Sequence, residues 1–457
     1  MKVFMQKFLI TLCLFCCIAV SASAQNYGEM TARQTPEWFL EGYTYQIQLR
    51  AFTPEGTLQA AAAKLPHLKD IGVGTVYLCP VFVTDDDMDI SGWSRRQIAS
   101  GYGNPKNPYR ISDYFHVDEE YGTDADLRDF VRQAHSLGLR VLIDIVYTHC
   151  GPRAVFIKDH PEFFTYDDKG NIINSDWHFP ALNFASESLR TYLKTNMLYF
   201  VCDFGVDGFR CDVADSIPVD FWEEARAELE KVRPDIVIAA EGQRRSNTLK
   251  AFDANYDWEI VLNCVCALLK NPDAYKAKGG AAAIREQYES YMAEFPKGTD
   301  FWHFTENHDT SNDAYDNRSE KVYGHDNQEL GLAFCFALDG IPLVYNGQEI
   351  CDASRHSIFS TKGAACIDWS LSGEDYALRR SALLRQWAQM RRDRSCLVGG
   401  SVKWIENDSP DKVCSFKRTD GKSPDVLFVA NCSPEKVRVI LSNGAKYRLG
   451  PWEYVFE

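Results

Sequence analysis

The chain has 457 residues, with 49 lysines and arginines against 64 aspartates and glutamates, giving a formal net charge of −15. This length can bury a large core and hold one large domain together with a smaller one. Its acidic surface would repel a phosphate backbone, which argues against nucleic acid as a partner.

The first residues have the layout of a secretory signal peptide. Lys2 and Lys7 precede an apolar run over residues 8–20, and the small residues that follow end at Ala24. The run is short for a transmembrane helix, so the pattern favours a cleaved signal over a membrane anchor. We expect cleavage after Ala24 (signal peptide 1–24), export of the remaining chain, and no stable insertion into a membrane.

Short β-rich runs then alternate with amphipathic helical runs. The predicted strands are residues 43–52, 74–81, 140–147, 206–213, 236–240, 258–262, 301–305 and 341–345. The predicted helices are residues 58–71, 124–137, 186–203, 219–232, 247–252, 281–295 and 328–338. Strand followed by helix, repeated eight times, predicts an α/β fold, a (β/α)8 TIM barrel of parallel strands.

Two long segments interrupt this alternation. Residues 83–113 form a loop rich in Gly, Asn and Asp after the second strand, and residues 148–185 form an insert after the third. Long loops at the C-terminal ends of barrel strands usually build the site.

The helical pattern stops after residue 395. Short β-rich runs then follow at residues 413–417, 426–430, 437–441 and 447–449. We therefore assign residues 25–395 to the barrel domain, including its insert, and residues 396–457 to a small C-terminal all-β domain, a β-sandwich.

Twelve cysteines follow Ala24, and none of them forms a C-x-x-C pair that would indicate a zinc or redox motif. Export makes disulfides possible. Four of the cysteines nevertheless lie in apolar segments, and for these we predict buried free thiols: Cys79, Cys202, Cys211 and Cys335.

Acidic residues follow the third, fourth, fifth and seventh predicted strands: Asp144, Asp212, Glu241 and Asp309. These strand ends would meet at one mouth of the barrel. Burying unpaired carboxylates at this mouth would cost folding free energy, so a purely structural role would not explain the cluster. The cluster therefore favours catalysis. Glycoside hydrolysis uses two carboxyl groups, which stand about 5 Å apart in retaining enzymes. Adjacent strands also lie about 5 Å apart, which makes Asp212 and Glu241 the candidate pair.

The ordered motifs around these acids resemble the signature regions of the α-amylase family, glycoside hydrolase family 13. Residues 144–149 resemble D-x-V-x-N-H, and residues 208–212 are similar to G-x-R-x-D. Glu241 matches the acid of the third region, and residues 304–309 resemble F-x-x-N-H-D. Two further segments resemble the family's eighth-strand and G-Y-D-x-x-D-Y segments, at residues 340–349 and 107–114.

The resemblance implies a role for each acid. Asp212 would attack the anomeric carbon, and Glu241 would protonate the leaving oxygen and then activate water. Asp309 would hold sugar hydroxyls and favour the distorted ring. Arg210 would lower the pKa of Asp212, with Asp144 as the partner of Arg210.

Three more residues are implied in sugar binding. His149 and His308 would hydrogen-bond the sugar in the cleaved subsite, and Tyr109 would stack beneath it. Taken alone, a histidine on a strand is usually a core residue, and an aromatic loop residue can simply pack the loop. The motifs favour a binding role for all three.

The resemblance implies a retaining α-glycoside hydrolase acting on α-linked glucans or on malto- and isomalto-oligosaccharides. A transglycosylase with the same catalytic residues is the alternative, and a non-catalytic glucan-binding protein on the same fold is a third interpretation. Asp215 and Ser216 stand where many α-amylases have Lys and His. Val213 after the nucleophile resembles members that act on short oligosaccharides or α-1,6 linkages.

We expect no cofactor, although many family members hold calcium between the barrel and the insert. Two of the positions that supply calcium ligands in those members are Thr148 and Ala181 here. Calcium prefers six to eight oxygen ligands with several carboxylates among them, so the loss of an amide and a carboxylate should weaken the site. The alternative is that Asp167, Asp168 or Asp176 supplies replacement ligands.

Overall fold

The computed structural model describes residues 25–311 and 317–457, so the predicted signal peptide lies outside the described residues. Eight parallel strands close into a barrel in which each strand pairs with its neighbours in chain order and the eighth pairs with the first. This confirms the predicted (β/α)8 barrel. The strands are Thr44–Ile47, Thr75–Leu78, Arg140–Ile145, Gly208–Cys211, Val237–Ala240, Ala254–Tyr256, Asp300–His303 and Ile341–Tyr345.

Helices surround the barrel, and most of the predicted ones are present. The α-helices are Glu37–Glu41, Leu49–Phe52, Leu58–Ala62, Leu65–Asp70, Arg95–Ser100, Asp124–Ser136, Glu187–Tyr199, Val219–Val232, Asn247–Lys250, Ala267–Lys270, Pro272–Lys276, Ala282–Met292, Ser319–Tyr323, His325–Ala337, Asp375–Asp393 and Ser395–Gly399. The π-helical segments are Phe200–Phe204 and Trp258–Cys266, and the 3-10 turns are Tyr27–Glu29, Ile90–Gly92, Pro161–Phe163, Ala214–Ser216, Gln348–Ile350 and Trp369–Gly373.

The helix Asp124–Ser136 illustrates how local sequence sets these bounds. At its start, the Thr123 hydroxyl accepts from the Asp126 N–H while the Asp126 carboxylate accepts from the Thr123 N–H, a capping box. At its end, Gly138 takes φ +70°, which glycine adopts without steric cost. The apolar face predicted from the spacing is buried against the barrel.

Two strand predictions are wrong. The sixth barrel strand is Ala254–Tyr256, whereas the predicted run 258–262 lies in the π-helical segment Trp258–Cys266. Asp257 starts that segment, because its carboxylate accepts from three successive backbone N–H groups. The first predicted strand is also too long, since Leu49–Phe52 is helical. A short apolar run does not distinguish a buried strand from a buried helix.

The long loop after the second strand contains a small antiparallel hairpin, Phe82–Thr84 with Ile111–Val117. The insert 148–185 contains isolated bridges and one 3-10 turn. Both segments lie at the C-terminal ends of the barrel strands, as predicted.

The C-terminal residues form two antiparallel sheets. One has four strands, in the order Ser401–Trp404, Val413–Thr419, Val426–Asn431 and Tyr454–Phe456, and the other pairs Val437–Ile440 with Lys446–Leu449. Buried apolar side chains from both sheets pack together between them. The predicted boundary at residue 396 falls within the short helix Ser395–Gly399.

All cysteines in the described part of the chain are free thiols. Cys79, Cys211 and Cys335 are buried as predicted, but Cys202 is exposed. The correction follows from the π-helical segment Phe200–Phe204, which turns Phe200, Val201 and Phe204 inward and Cys202 outward. Over residues 25–311 and 317–457, no helix has the length and apolar character needed to cross a membrane.

Candidate active site

The predicted acids stand at neighbouring strand ends because the barrel register brings them there. Asp144 on the third strand is level with Arg210 on the fourth. Asp212 and Glu241 follow directly after the fourth and fifth strands, and the Glu241 N–H donates to the Cys211 carbonyl, which continues the ladder. The two carboxyl groups therefore project from adjacent positions at one mouth of the barrel.

Arg210 connects the carboxylates. Its Nη1 lies 2.7 Å from Asp144 Oδ1 and 2.8 Å from Asp212 Oδ1, and its Nη2 lies 2.8 Å from Glu241 Oε2. The contact with Glu241 is an ion pair rather than an aligned hydrogen bond. The guanidinium is completely buried, so its charge acts on these groups with little screening by water.

Val213 supplies a second contact to Oε2 of Glu241, the oxygen that also faces Arg210. Its backbone N–H donates to Glu241 Oε2 at 2.8 Å, and it adopts φ +41°. The left-handed region is costly for a β-branched residue, and such strain is typical of functional sites. The strained backbone directs an N–H donor at one of the two carboxyl groups.

Both carboxyl groups have raised pKa values. Burial raises the pKa of Asp212 to about 7, partly offset by the positive charge of Arg210. Burial raises the pKa of Glu241 to about 8, again opposed by Arg210, and the nearby charge of Asp212 raises it further. The two groups therefore titrate near neutral pH as a coupled pair, in which one carboxyl group can be ionised while the other holds a proton. A nucleophile beside a proton donor requires this state of the pair.

Asp309 has a different environment from the other acids. Its Oδ1 lies 2.5 Å from Nη1 of Arg96, and its Oδ2 lies 3.3 Å from Nε2 of His308. Burial would raise the pKa of Asp309, but the neighbouring His308, Arg96 and Arg210 hold it below its ordinary value. Asp309 is therefore ionised over the whole pH range in which Asp212 and Glu241 titrate.

Tyr109 and His308 pack face to face, with ring centroids 5.3 Å apart and an interplanar angle of 4°. The Gln46 amide donates to His308 Nδ1 at 2.6 Å, which leaves the proton on Nε2, 2.7 Å from the Tyr109 hydroxyl. That hydroxyl donates to Asp144 Oδ2 at 3.0 Å. Burial lowers the pKa of His308 to about 3, so its ring is a neutral donor.

His149 also lies at this mouth of the barrel, beside Tyr109. Its Nε2–H donates to the Tyr109 carbonyl at 2.9 Å, and its ring packs against Trp177 and Phe179. Burial lowers the pKa of His149 to about 4, so this ring is also neutral. Nδ1 of His149 is buried without a hydrogen-bond partner, which leaves an acceptor at the cavity.

These side chains line one cavity of about 230 Å³. Of the seven predicted site residues, Arg210 lies beneath the cavity and the other six line it: Tyr109, His149, Asp212, Glu241, His308 and Asp309. The sequence motifs also include Asn107 and Val213, which line the cavity as well. Sequence reasoning missed the remaining lining residues, which lie outside the family motifs: Ser94, Arg96, Trp177, Phe179, Trp258, Ile358 and Phe359. Arg96, on the short helix Arg95–Ser100, carries no local signal that it reaches Asp309.

The residues at the root of the insert do not fit a calcium ion. Thr148 offers one buried hydroxyl, and Ala181 offers no side-chain oxygen. The proposed replacements Asp167, Asp168 and Asp176 are exposed. Asp167 already accepts from the backbone of its own turn.

One cluster of metal-ligand type does occur in the described part of the chain: Glu320, His325 and Cys351. It includes neither Thr148 nor Ala181, and Glu320 is already paired with Arg380.

Comparison with known proteins identifies the class. A family model described as "Alpha amylase, catalytic domain" matches residues 33–178 and 165–391. The chain therefore belongs to the α-amylase family of glycoside hydrolases, as the resemblance implied.

Individual relatives are distant. A cyclomaltodextrinase from Geobacillus thermopakistaniensis is 24% identical over 87% of this chain, which spans 65% of that relative's length. The intracellular maltogenic amylase of Bacillus subtilis is 24% identical over 80% of this chain and 60% of its own length. The chain thus spans less than two thirds of these relatives.

Two solved structures match this chain over nearly their whole length, unlike the relatives above. The maltogenic α-amylase AmyB from Thermotoga neapolitana has a TM-score of 0.75 and 26% identity, covering 91% of this chain and 98% of its own. A cyclic α-maltosyl-(1→6)-maltose hydrolase from Arthrobacter globiformis, in complex with its substrate, has a TM-score of 0.74 at 19% identity. It covers 93% of this chain and 99% of its own, and it supports the fold alone.

Proposed function

We propose that this protein is a retaining α-glycoside hydrolase that cleaves short α-linked gluco-oligosaccharides through a covalent glycosyl-enzyme. One observation carries the proposal: the carboxyl groups of Asp212 and Glu241 stand at adjacent strand ends and share the buried Arg210 guanidinium. Burial raises the pKa values of both groups towards neutral, so Asp212 can act as the nucleophile while Glu241 holds a proton. Retaining glycosidases use such a pair, with the two carboxyl groups flanking the scissile bond.

The chemistry proceeds in two displacements. Ionised Asp212 donates an electron pair to the anomeric carbon while the bond to the leaving oxygen breaks, and Glu241 gives that oxygen its proton. Glu241, now ionised, takes a proton from water, whose oxygen attacks the same carbon and releases Asp212. Asp309, held ionised, stabilises the positive charge of the oxocarbenium-like transition state and accepts from sugar hydroxyls.

The substrate class rests on the cavity and the relatives. A cavity of about 230 Å³ is smaller than the roughly 300–1,000 Å³ of pockets that enclose drug-sized ligands, which suits one end of a short sugar chain. The relatives named above are maltogenic amylases and enzymes of cyclic maltodextrins. We expect a higher kcat/KM on maltotriose than on long amylose, and comparable values would count against this substrate class.

The mechanism is tested by proton NMR of the first product and by two variants. Asp212→Ala and Glu241→Gln should each lower kcat by several powers of ten, because each side chain takes part in bond making. Asp168→Asn, a change at an exposed acid of the insert, is the matched control and should leave kcat unchanged. A first-formed β-anomer would contradict retention, and near-normal turnover of Asp212→Ala would contradict the assignment.

The lengths of the products formed from maltotriose separate the alternative functions. A transglycosylase would convert concentrated maltotriose into longer oligosaccharides as its main products, whereas the proposed hydrolase yields shorter ones. A glucan-binding protein without activity would release no sugar from any substrate. Three carboxyl groups at the cavity have strongly shifted pKa values: Asp212, Glu241 and Asp309. Such a cluster supports hydrolysis over binding alone, because shifted pKa values gather at catalytic sites.

A further inference from the structure

Two loops close one side of the cavity. They are the loop 83–113 after the second strand and the loop 351–368 after the eighth. The Asn104 amide donates to the Ser360 carbonyl at 3.1 Å, and the Arg355 guanidinium lies over the Tyr102 ring at 5.4 Å. These contacts join the two loops into a continuous wall.

Arg50 anchors this wall to the barrel. Its completely buried guanidinium donates to the carbonyl groups of Lys106 and Ile358, one on each loop, and is paired with Glu120. Ile358 and Phe359 then face the cavity from the wall and are themselves buried. The wall is thus part of the packed molecule rather than an exposed flap.

Arg96 connects the wall to the catalytic acids. Its guanidinium contacts Asp309 Oδ1 and donates to the His308 carbonyl at 3.0 Å. It also lies 5.6 Å from the centre of the Phe359 ring. Arg96 therefore spans the cavity between the two loops and the seventh strand end, beside the carboxylate expected to hold sugar hydroxyls.

The chemistry of the proposed function orients the substrate in this cavity. The proton donor Glu241 marks the side on which the leaving group departs, and Asp309 marks the hydroxyl edge of the sugar that stays. In a linear glucan, the chain towards the non-reducing end continues from an oxygen on that hydroxyl edge. Arg96, Ile358 and Phe359 stand on this side.

We propose that Arg96, with the wall behind it, closes the cleft beyond Asp309, so that the protein cleaves from the non-reducing end of linear α-linked oligosaccharides. This inference rests on the proposed function. The Arg96 guanidinium presents donors to the hydroxyl groups of a terminal sugar, and a sugar carrying a further unit would collide with it. Arg96 is thus a specificity-determining residue rather than a catalytic one.

The test compares p-nitrophenyl maltoheptaoside with the same compound blocked at its non-reducing end by a 4,6-O-ethylidene group. Cleavage products are followed by chromatography, with free maltoheptaose and β-cyclodextrin as further substrates. The wild-type protein should cleave the blocked compound at least about 100-fold more slowly than the unblocked one. It should also prefer linear maltoheptaose to the cyclic compound, which has no end.

Arg96→Ala should reduce the ratio of the unblocked to the blocked cleavage rate to below about 10-fold, and Arg96→Lys should restore part of this ratio. Arg95→Ala, an exposed neighbour on the same helix, should retain the wild-type ratio. The ratio separates specificity from a structural role, because a damaged active site would slow both compounds alike.

Equal cleavage of the blocked and unblocked compounds by the wild-type protein would overturn the inference while leaving the proposed function intact. So would an unchanged ratio in a folded Arg96→Ala variant. A wild-type protein that cleaves neither compound, nor maltotriose, would instead overturn the proposed function and the inference with it.

Discussion

At the scale of single residues, the site depends on one buried positive charge among four carboxylates. Arg210 contacts Asp144, Asp212 and Glu241, while Asp309 has its own cation in Arg96. Removing one partner from a buried ion pair leaves an uncompensated charge, so these residues are coupled in stability as well as in catalysis. Asp309 stays ionised, while burial raises the pKa of Asp144 to about 6, that of Asp212 to about 7 and that of Glu241 to about 8.

This separation predicts a bell-shaped pH profile for kcat/KM. Activity should rise as Asp212 ionises near pH 7 and fall as Glu241 loses its proton near pH 8, the two limbs belonging to the coupled pair. Asp309 adds no limb because its pKa is lowered. The profile is measured on p-nitrophenyl α-glucoside between pH 5 and 10.

An activated substrate provides the control for the alkaline limb. The fluoride of α-glucosyl fluoride leaves without needing a full proton transfer, so the fall above pH 8 should weaken or disappear while the rise near pH 7 remains. An alkaline limb that is identical for both substrates would show that Glu241 is not the group that titrates there. A rise complete below pH 5 would contradict the raised pKa of Asp212.

At the scale of elements, the insert 148–185 is attached to the neighbouring loop by charge. The Arg153 backbone N–H and guanidinium both contact Asp85, and the guanidinium also contacts Asp86. Asp85 is buried and is paired with Arg110 as well. The guanidinium groups of Arg110 and Arg153 thus neutralise Asp85 and Asp86 where the neighbouring loop meets the insert.

We therefore expect the folded protein to be independent of calcium. Exhaustive EDTA dialysis should leave the thermal midpoint unchanged, and added calcium should not raise it, as followed by circular dichroism. A bound ion well above its Kd would add a few kcal/mol of stability, about 2.7 kcal/mol at one hundred times Kd. A calcium-dependent rise of several degrees would show that the insert does bind the ion.

Arg153→Ala provides the matched variant for this prediction. It should lower the midpoint with or without calcium, because buried Asp85 loses one of its two cations. Arg153→Lys should retain part of the stability. An Arg153→Ala protein as stable as wild type would show that the contact contributes nothing to the attachment of the insert.

At the scale of the whole molecule, the barrel and the four-stranded C-terminal sheet share one apolar core. Phe428 packs against Phe334 with ring centroids 4.9 Å apart, and Trp387 packs against Tyr454 and Phe456. Helices of the barrel therefore bury side chains of the four-stranded sheet. Burial of this kind stabilises both parts together, because neither apolar face can be exposed without cost.

A shared core predicts one cooperative unfolding transition. Phe428→Ala should destabilise the protein by about 3–5 kcal/mol and move the loss of ellipticity and the loss of activity to the same lower temperature. Ile440→Ala, at an exposed position on the other sheet, should change stability by less than about 1 kcal/mol. Loss of the sheet signal at a lower temperature than loss of activity would contradict a shared core.

Export concerns the whole chain and rests on residues outside the described structure. We propose that residues 1–24 direct export and are removed. The full-length chain expressed in a bacterium should appear outside the cytoplasm with Gln25 as its first residue, as measured by N-terminal sequencing and intact mass. A cytoplasmic product that retains the apolar run 8–20 would contradict this proposal.

Much of the fold was predictable because its signals are local. Alternating β-rich and amphipathic runs predicted the barrel, and helical spacing placed the helix Asp124–Ser136 to within about a residue. The sixth strand was misplaced because residues 258–262 are as apolar as a strand, while Asp257 starts a helix there. Cys202 was predicted to be buried because its neighbours in the sequence are apolar. The sequence does not show which side of the π-helical segment faces the core.

The sequence by itself determined the barrel, the order of its strands, and the identity of the acids at the strand ends, since each depends on short-range spacing and on ordered motifs. The tertiary structure alone decided which charges surround those acids. Arg96 contacts Asp309, which lies 213 positions later in the chain, and Arg153 contacts Asp85, which lies 68 positions earlier. Such contacts depend on how loops from different strands fold over one mouth of the barrel, and no local pattern encodes that approach.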